Sequence, residues 1–187
     1  MENKYFYDKG VLHSVWPPEA HFGFSYWSLM ICPFPPENVL ILGYGQGGIS
    51  NLIHKIWRED LEHYDPHVVG VDKEQVDNPY TPAAQGDDFF QIDAFKFVEK
   101  YEQRFDYVII DLFNGAEIPE EVWGKEFADN LARITKKMLC INTLGRGDLT
   151  ELSRYFRLIL TKRWYDNSIH FLVPHGSKEN YFPPNRI

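Results

Sequence analysis

Asn38-Val-Leu-Ile-Leu-Gly-Tyr-Gly-Gln-Gly-Gly-Ile-Ser50 is the stretch that decides the fold of this chain. Val39 to Leu42 are continuously apolar rather than alternating, the pattern of a strand buried on both faces. The run stops at Gly43, and Gly43, Gly45 and Gly48 fit the spacing G-x-G-x-x-G. Beyond it Ile49, Leu52, Ile53 and Ile56 recur at helical spacing. Strand, glycine turn and helix in that order form the start of a nucleotide-binding βαβ unit. Glycines let the backbone take unusual φ angles and let a ligand come close, while the helix N-terminus offers free N–H groups to an anion. The same spacing also closes ordinary strand-helix corners, so the turn by itself leaves a purely structural reading open.

Working outward, Pro66-His-Val-Val-Gly-Val-Asp72 reads as the second strand and ends in an acid 24 residues past Gly48. That is near the spacing of about 20 at which nucleotide folds place a ribose-binding carboxylate. Residues 77–88, with Asn78-Pro-Tyr-Thr-Pro82, carry turn chemistry and predict a surface loop. Phe89–Ile92 predicts a short third strand leading to Asp93-Ala94, and Phe95, Val98 and Tyr101 predict a short helix. Asp106–Phe113 is the fourth strand and contains Asp111; Pro119 opens the next helix, with Val122, Phe127, Leu131 and Ile134 inside. Lys136–Asn142 is the fifth strand, followed by a helix near Asp148–Leu158. Leu158–Trp164 and Ser168–Val173 then form a hairpin across Tyr165-Asp-Asn167, which a plain dinucleotide dehydrogenase does not share. The tail from Asn180 reads as irregular, and residues 1–37, with short aromatic runs broken by Gly10, Pro17-Pro18 and Gly23, as a small β arm or lid. Within it Ser25–Ile31 predicts a brief helix. The expected fold class is therefore α/β, a mostly parallel seven-stranded sheet with a C-terminal antiparallel hairpin, in a domain spanning 38–187 behind the arm.

At 187 residues the chain is long enough for one domain with a real core. A net charge of −8 argues against nucleic acid as the main partner, because phosphate binding needs a basic face. An acidic balance suits a cationic substrate, and equally serves as a solubility device. Cys32 and Cys140 sit in apolar surroundings and read as small buried hydrophobes, with no disulfide framework. No charged-then-apolar leader opens the sequence and no apolar run approaches 18 residues, so the expectation is a cytoplasmic protein without a membrane partner. The seven histidines are scattered, with no metal-ligand spacing, and read as structural or exposed; Lys96, Lys100 and Lys136-Lys137 read as solvated faces.

Asp72, Asp93 and Asp111 fall at or just after strand C-terminal ends, which line the ligand crevice of an open α/β sheet. Asp72 can accept bonds from two ribose hydroxyls. Asp93 reads either as an acceptor for the adenine amine or as the N-cap of the helix after it, and Asp111 either as a site acid or as a turn carboxylate.

These features together resemble a class I S-adenosylmethionine-dependent methyltransferase, and within that superfamily the sequence is most similar to spermidine synthase-like proteins. The resemblance is carried by Phe24-Ser-Tyr26 with Met30, by Gly43–Gly48, and by Phe105-Asp-Tyr-Val-Ile-Ile-Asp-Leu-Phe-Asn-Gly115; it covers about residues 22–175 and lacks most of the family's longer N-terminal β domain. It implies a Rossmann-like methyltransferase fold with S-adenosylmethionine as cofactor, or its decarboxylated form as the alternative. Gly43, Tyr44, Gly45, Gln46, Gly48, Asp72, Lys73, Ile92, Asp93, Ala94 and Asp111 are the implied cofactor contacts. Asp111 matches the acid that takes the proton of an attacking amine, and Tyr26 a tyrosine of the active-site wall. Trp27 and Asn114 are the implied substrate contacts, although the arm's aromatic residues can equally serve core or dimer packing. No metal is implied, and related synthases often form dimers, which the resemblance suggests here.

Two positions depart from the aminopropyltransferase pattern. Gln46 and Asn114 stand where that family places aspartates, both facing cationic amines. An amide keeps hydrogen bonding but loses the charge that holds an ammonium. Intact S-adenosylmethionine carries a carboxylate at that end, which Gln46 tolerates better than an aspartate would. The expected activity is therefore methyl transfer to a small molecule, with an amine among the candidate acceptors. Aminopropyl transfer to a polyamine is the first alternative and a non-catalytic nucleotide-binding protein the second.

Overall fold

The structure is a computed structural model and describes residues 4–8, 11–16, 25–61, 64–76, 86–145, 147–179 and 181. Two antiparallel strands, β1 (Lys4–Asp8) and β2 (Val11–Trp16), pair as a separate hairpin. A 3₁₀ turn at Tyr26–Met30 leads into the main sheet, matching the brief helix expected there. That sheet is built from β3 (Asn38–Leu42), β4 (His67–Asp72), β5 (Asp88–Gln91), β6 (Phe105–Ile110), β7 (Thr135–Leu144), β8 (Phe156–Trp164) and β9 (Asn167–Pro174). Its order is β5-β4-β3-β6-β7-β9-β8. The first five strands in that order run parallel and β9 is antiparallel to both of its neighbours. Because the chain leaves β3 to one side and returns to β6 on the other, the crevice between those two strand ends is the topological switch point.

The continuous apolar runs become central strands because helices cover both faces of the sheet. Side chains alternate across a strand, so Leu40 and Leu42 point with Val69, Val71, Val108 and Ile110 toward α2 (Ala94–Lys100) and α3 (Lys125–Ile134). Val39 and Ile41 point the other way, with Val68, Tyr107 and Ile109, toward α1 (Gly48–Asp60), Trp27 and Met30. All six residues of β6 are buried, including Asp106. Its carboxylate accepts from the Glu37 amide at 3.0 Å and pairs with Lys136 and Lys137 at 3.1 and 3.3 Å. Burial pushes the Asp106 carboxyl up, but these partners outweigh it and hold it below the usual range. The two lysines are therefore not merely a solvated face. Cys32 and Cys140 are free and buried, as their surroundings predict.

Three expectations need correction. Pro119 does not open one continuous helix: a short 3₁₀ turn at Glu120–Trp123 ends at Gly124, and α3 begins after it. The helix expected near Asp148–Leu158 is only a turn at Leu152–Arg154, since Phe156 onward pairs with β9 and so belongs to β8. The third strand starts and ends one residue earlier, at Asp88–Gln91. Most of the expected loop (77–85), residues 22–24 of the aromatic arm and nearly all of the tail lie outside the described residues.

The close approach of β3 and β6 depends on Gly43. It sits at φ +86°, and a Cβ there would lie 2.2 Å from the carbonyl oxygen of Asp111. Gly176 also has positive φ (+84°) but open space around it. Gly176→Ala is expected to cost about 1–2 kcal/mol from backbone strain alone. Gly43→Ala adds a clash with backbone that cannot yield, about 2 kcal/mol or more beyond that; urea unfolding of the two variants side by side measures the difference.

Candidate functional site

A cavity of ≈ 510 Å³ opens at the C-terminal ends of β3, β4 and β6, within the size range of small-molecule pockets. Its floor is set by backbone bonds that tie three strand ends together. The amides of Gly43 and Tyr44 both donate to the Val71 carbonyl, at 2.9 and 3.1 Å, and the Asp111 amide donates to Leu42 at 2.8 Å. Gly45 (φ +55°) and Gly47 (φ +80°) then turn the chain into α1, whose N-cap is Gly47 with no side-chain cap. The first-turn N–H groups of α1 thus carry no capping side chain, and Gly48 and Ile49 line the cavity there.

Asp72, at the end of β4, accepts from the Gly45 amide at 2.7 Å and from the Glu74 amide at 3.0 Å. It fastens the glycine turn and still lines the cavity, as do Lys73 and Glu74. Asp93 caps α2, its Oδ1 accepting from Phe95 and Lys96 amides, both at 3.1 Å. The capping reading of Asp93 is therefore realised, while the residue also lines the cavity with Ala94. Ile92 is not in the cavity wall and is 36% exposed.

Asp111 follows β6. Its Oδ2 accepts from the Tyr26 hydroxyl at 3.0 Å and its Oδ1 from Asn142 Nδ2 at 2.9 Å. Burial raises its carboxyl to about 6, against the opposing pull of those two donors, and the nearby Asp72 charge adds to the rise. Burial and the Asp111 charge hold the Tyr26 hydroxyl well above its ordinary value, so it stays a donor. A carboxyl poised near neutrality in a cleft, with oriented donors, is suited to accept a proton. Trp27, Gln46 and Asn114 complete the wall. The sequence reading missed Ile49, Glu74, Phe95, Leu112, Phe113, Pro119 and Glu121 in that wall. It also missed Asn142, whose position in an apolar strand gave no signal beyond a polar residue in an otherwise buried run.

Tyr44 lines the cavity with a buried ring lying over Gly70, where a Cβ would meet the ring at 2.2 Å. Its hydroxyl donates to Asp87 Oδ2 at 2.8 Å, an oxygen that Ser50 Oγ also approaches closely. Behind it, His54 bridges two carboxylates: Nε2 to Asp87 and Nδ1 to Asp65, both at 2.7 Å. Arg58 Nη2 in turn reaches Asp65 at 2.7 Å. With a carboxylate on each nitrogen, both positions donate only in the imidazolium form. Burial lowers the His54 pKa, but Asp87 and Asp65 together outweigh burial and raise it. This relay braces the ring that forms part of the cavity wall.

Among the described residues no group of three or more His, Cys, Asp or Glu is arranged to hold a metal, and no helix is long and apolar enough to cross a membrane. No known protein family signature matches the chain. It is 28% identical over 109 residues to a polyamine aminopropyltransferase of Thermoplasma acidophilum, a stretch covering 56% of this chain and 39% of that protein. The chain therefore spans less than half the length of that curated relative. Among solved structures it resembles spermidine synthase in complex with the transition state analogue AdoDATO, with a TM-score of 0.62, 16% identity, and 94% and 68% of the two chains covered. It also resembles magnesium protoporphyrin IX methyltransferase from Synechocystis PCC 6803 with bound S-adenosylmethionine, at a TM-score of 0.54, 16% identity, and 75% and 71% coverage. The fold is thus the Rossmann-like fold shared by S-adenosylmethionine-dependent methyltransferases and spermidine synthases.

Two pH effects follow from the site. Asp111 binds its proton more tightly folded than unfolded, so its stabilising contribution is complete below pH about 4 and is lost as pH rises through about 6. Asp111→Asn removes that loss, and the variant is expected to gain on the wild type as pH rises from 4 to 7, by up to about 3 kcal/mol, read by thermal or urea melts. His54 likewise stabilises fully below about 6.5 and loses its contribution as pH rises through its elevated folded value. His54→Ala should cost about 3 kcal/mol at pH 6 and progressively less toward pH 9.

Proposed function

We propose that this protein is an S-adenosylmethionine-dependent transferase that methylates a small-molecule nucleophile. The observation that carries this reading is the glycine turn: Gln46, an amide, stands beside the uncapped N-terminus of α1 at the cavity wall. Such a place accepts a carboxylate through backbone N–H groups and the helix dipole, with no opposing charge from the turn itself. The residues fit the cofactor in other respects too. Asp72 lies where it can accept ribose hydroxyls, and Asp93 with Ala94 lies at the start of α2, where an adenine edge would meet a carboxylate and a backbone amide. When bound, the cofactor supplies an already activated methyl group on its sulfonium.

The protein's own part is then positioning and proton acceptance. Asp111, ionised above about pH 6, takes the proton that the nucleophile gives up. Tyr26 and Asn142 hold its two oxygens, and Trp27 closes one wall beside Tyr26, their ring centroids 5.4 Å apart. Water is kept from much of the floor by the buried rings of Tyr44 and Trp27.

Aminopropyl transfer is the second reading. It is supported by the name of the Thermoplasma relative and by the cavity's acidity, since among the described residues Asp72, Glu74, Asp93, Asp111 and Glu121 line it against one cation, Lys73. That acidity attracts an ammonium as well as a sulfonium.

Calorimetric titration with S-adenosylhomocysteine and with methylthioadenosine separates the two. Methyl transfer predicts micromolar binding of S-adenosylhomocysteine, about 8 kcal/mol, weakened at least tenfold in Asp72→Ala, consistent with about 1.5–3 kcal/mol for charge-assisted bonds. Preference for methylthioadenosine would favour aminopropyl transfer, and binding of neither would overturn both readings. Once an acceptor is found, Asp111→Asn is expected to slow transfer by about 10²- to 10⁴-fold.

A further inference from the structure

Asp111 is served by a second asparagine that no motif marks. Asn142 lies near the end of β7, and its Nδ2 donates to Asp111 Oδ1 and to Asn167 Oδ1, both at 2.9 Å. Asn167 opens β9 immediately after the Tyr165-Asp166 turn, and the Gly145 amide fastens that turn through the Asp166 carbonyl at 2.8 Å. The antiparallel hairpin, whose Asn167 lies 25 residues beyond Asn142 in sequence, thus reaches the carboxylate at the cavity floor through one amide.

The accounting of that amide is unusual. Asn142 is 2% exposed, and among the described residues its Oδ1 is buried without a hydrogen-bond partner. A residue there for packing alone would be apolar, like Cys140 and Ile141 beside it; one there for polar satisfaction would partner its oxygen as well. Both N–H groups are instead committed to acceptors. An ionised carboxylate can only accept, so the amide must present nitrogen to it, and the bond to Asn167 holds that orientation.

We propose that Asn142, steadied by Asn167, is the positioning residue of Asp111: it fixes the carboxylate's orientation toward the cavity and favours its ionised, proton-accepting form. This rests on the reading of Asp111 as a proton acceptor. The donor from Asn142 and the donor from Tyr26 sit on opposite oxygens, leaving each oxygen a lone pair for an incoming N–H or O–H. The titratable groups that bear on Asp111 are Tyr26 on the 3₁₀ turn, Asp72 after β4 and the buried thiol of Cys140 on β7. Lys73, Glu74, Asp93 and Glu121 line the same cavity. None of these is Asn142 or Asn167, so a change confined to either asparagine removes no titratable group.

The test is a titration of the Asp111 side chain by carboxyl-carbon NMR on the full chain, without ligand, its signal assigned by its loss in Asp111→Asn. In Asn142→Leu, which keeps volume but removes the donor, the midpoint is expected to rise by about half to one pH unit. In Asn167→Ala, which removes only the steadying acceptor, it should rise by less. Tyr26→Phe, which removes the other donor, is the positive control. An unchanged midpoint in a folded Asn142→Leu, or in Asn167→Ala should the leucine variant not fold, would overturn the proposal. Because the titration needs neither cofactor nor acceptor, loss of S-adenosylhomocysteine binding in the wild type would defeat the proposed function while leaving this result readable.

Discussion

Where β3 ends, a missing side chain lets two strands meet. Gly43 carries no Cβ against the Asp111 carbonyl, its own amide turns to Val71, and the Asp111 amide turns back to Leu42. The three strand ends are thereby locked at one height, and Asp72 and Asp111 take their positions from them. Asp72 follows β4 and can reach the Gly45 amide only because the glycine turn is pinned there. Asp111 follows β6 and meets Tyr26 only because the 3₁₀ turn packs beneath, with the buried Tyr107 hydroxyl donating to the Met30 carbonyl at 2.6 Å. The cavity is thus a product of backbone geometry first and of side-chain chemistry second.

Charge is handled differently at each depth. On the side of the sheet remote from the cavity, Asp106 is buried, bonded by an amide and ion-paired with two lysines, a structural solution. At the cavity floor Asp111 has two neutral donors and, among the described residues, no cation beside it, so burial leaves it poised near neutrality. Between them, the Tyr44–Asp87–His54–Asp65 relay places a positive imidazolium between two carboxylates behind the cavity wall. The same amino acid is thus structural or chemically poised according to whether a cation sits beside it.

The parts legible in the sequence were those written in local patterns. Val39–Leu42, Val68–Val71 and Tyr107–Ile110 read as strands because burial on both faces makes them continuously apolar, and the glycine turn and Asp72 follow them at fixed spacing. Gly124 went unweighed between Pro119 and Phe127, where it splits a short turn from α3. The segment after Asp148 has helix-like apolar spacing in Leu149, Leu152 and Tyr155, which do pack on the core. Pairing with β9 claims the chain from Phe156, so only one turn survives. The Asn142–Asp111 and His54–Asp87 contacts join residues 31 and 33 apart and leave no periodic trace. Long-range polar pairing is settled by the assembled fold and cannot be read from neighbours in the chain.

The outermost strand, β8, closes the sheet on the hairpin side. Arg157, Lys162 and Arg163 flank its apolar stretch Leu158–Leu160, and its pairing with β9 slips by one residue between the two leucines. Leu158 stands 48% exposed, a side chain that a flat uncharged border would offer to a second sheet. A border strand that is kinked and repeatedly positive repels a second copy of itself and matches no long straight strand. The hairpin that steadies the Asn142 amide through Asn167 is therefore also the device by which the sheet comes to an end.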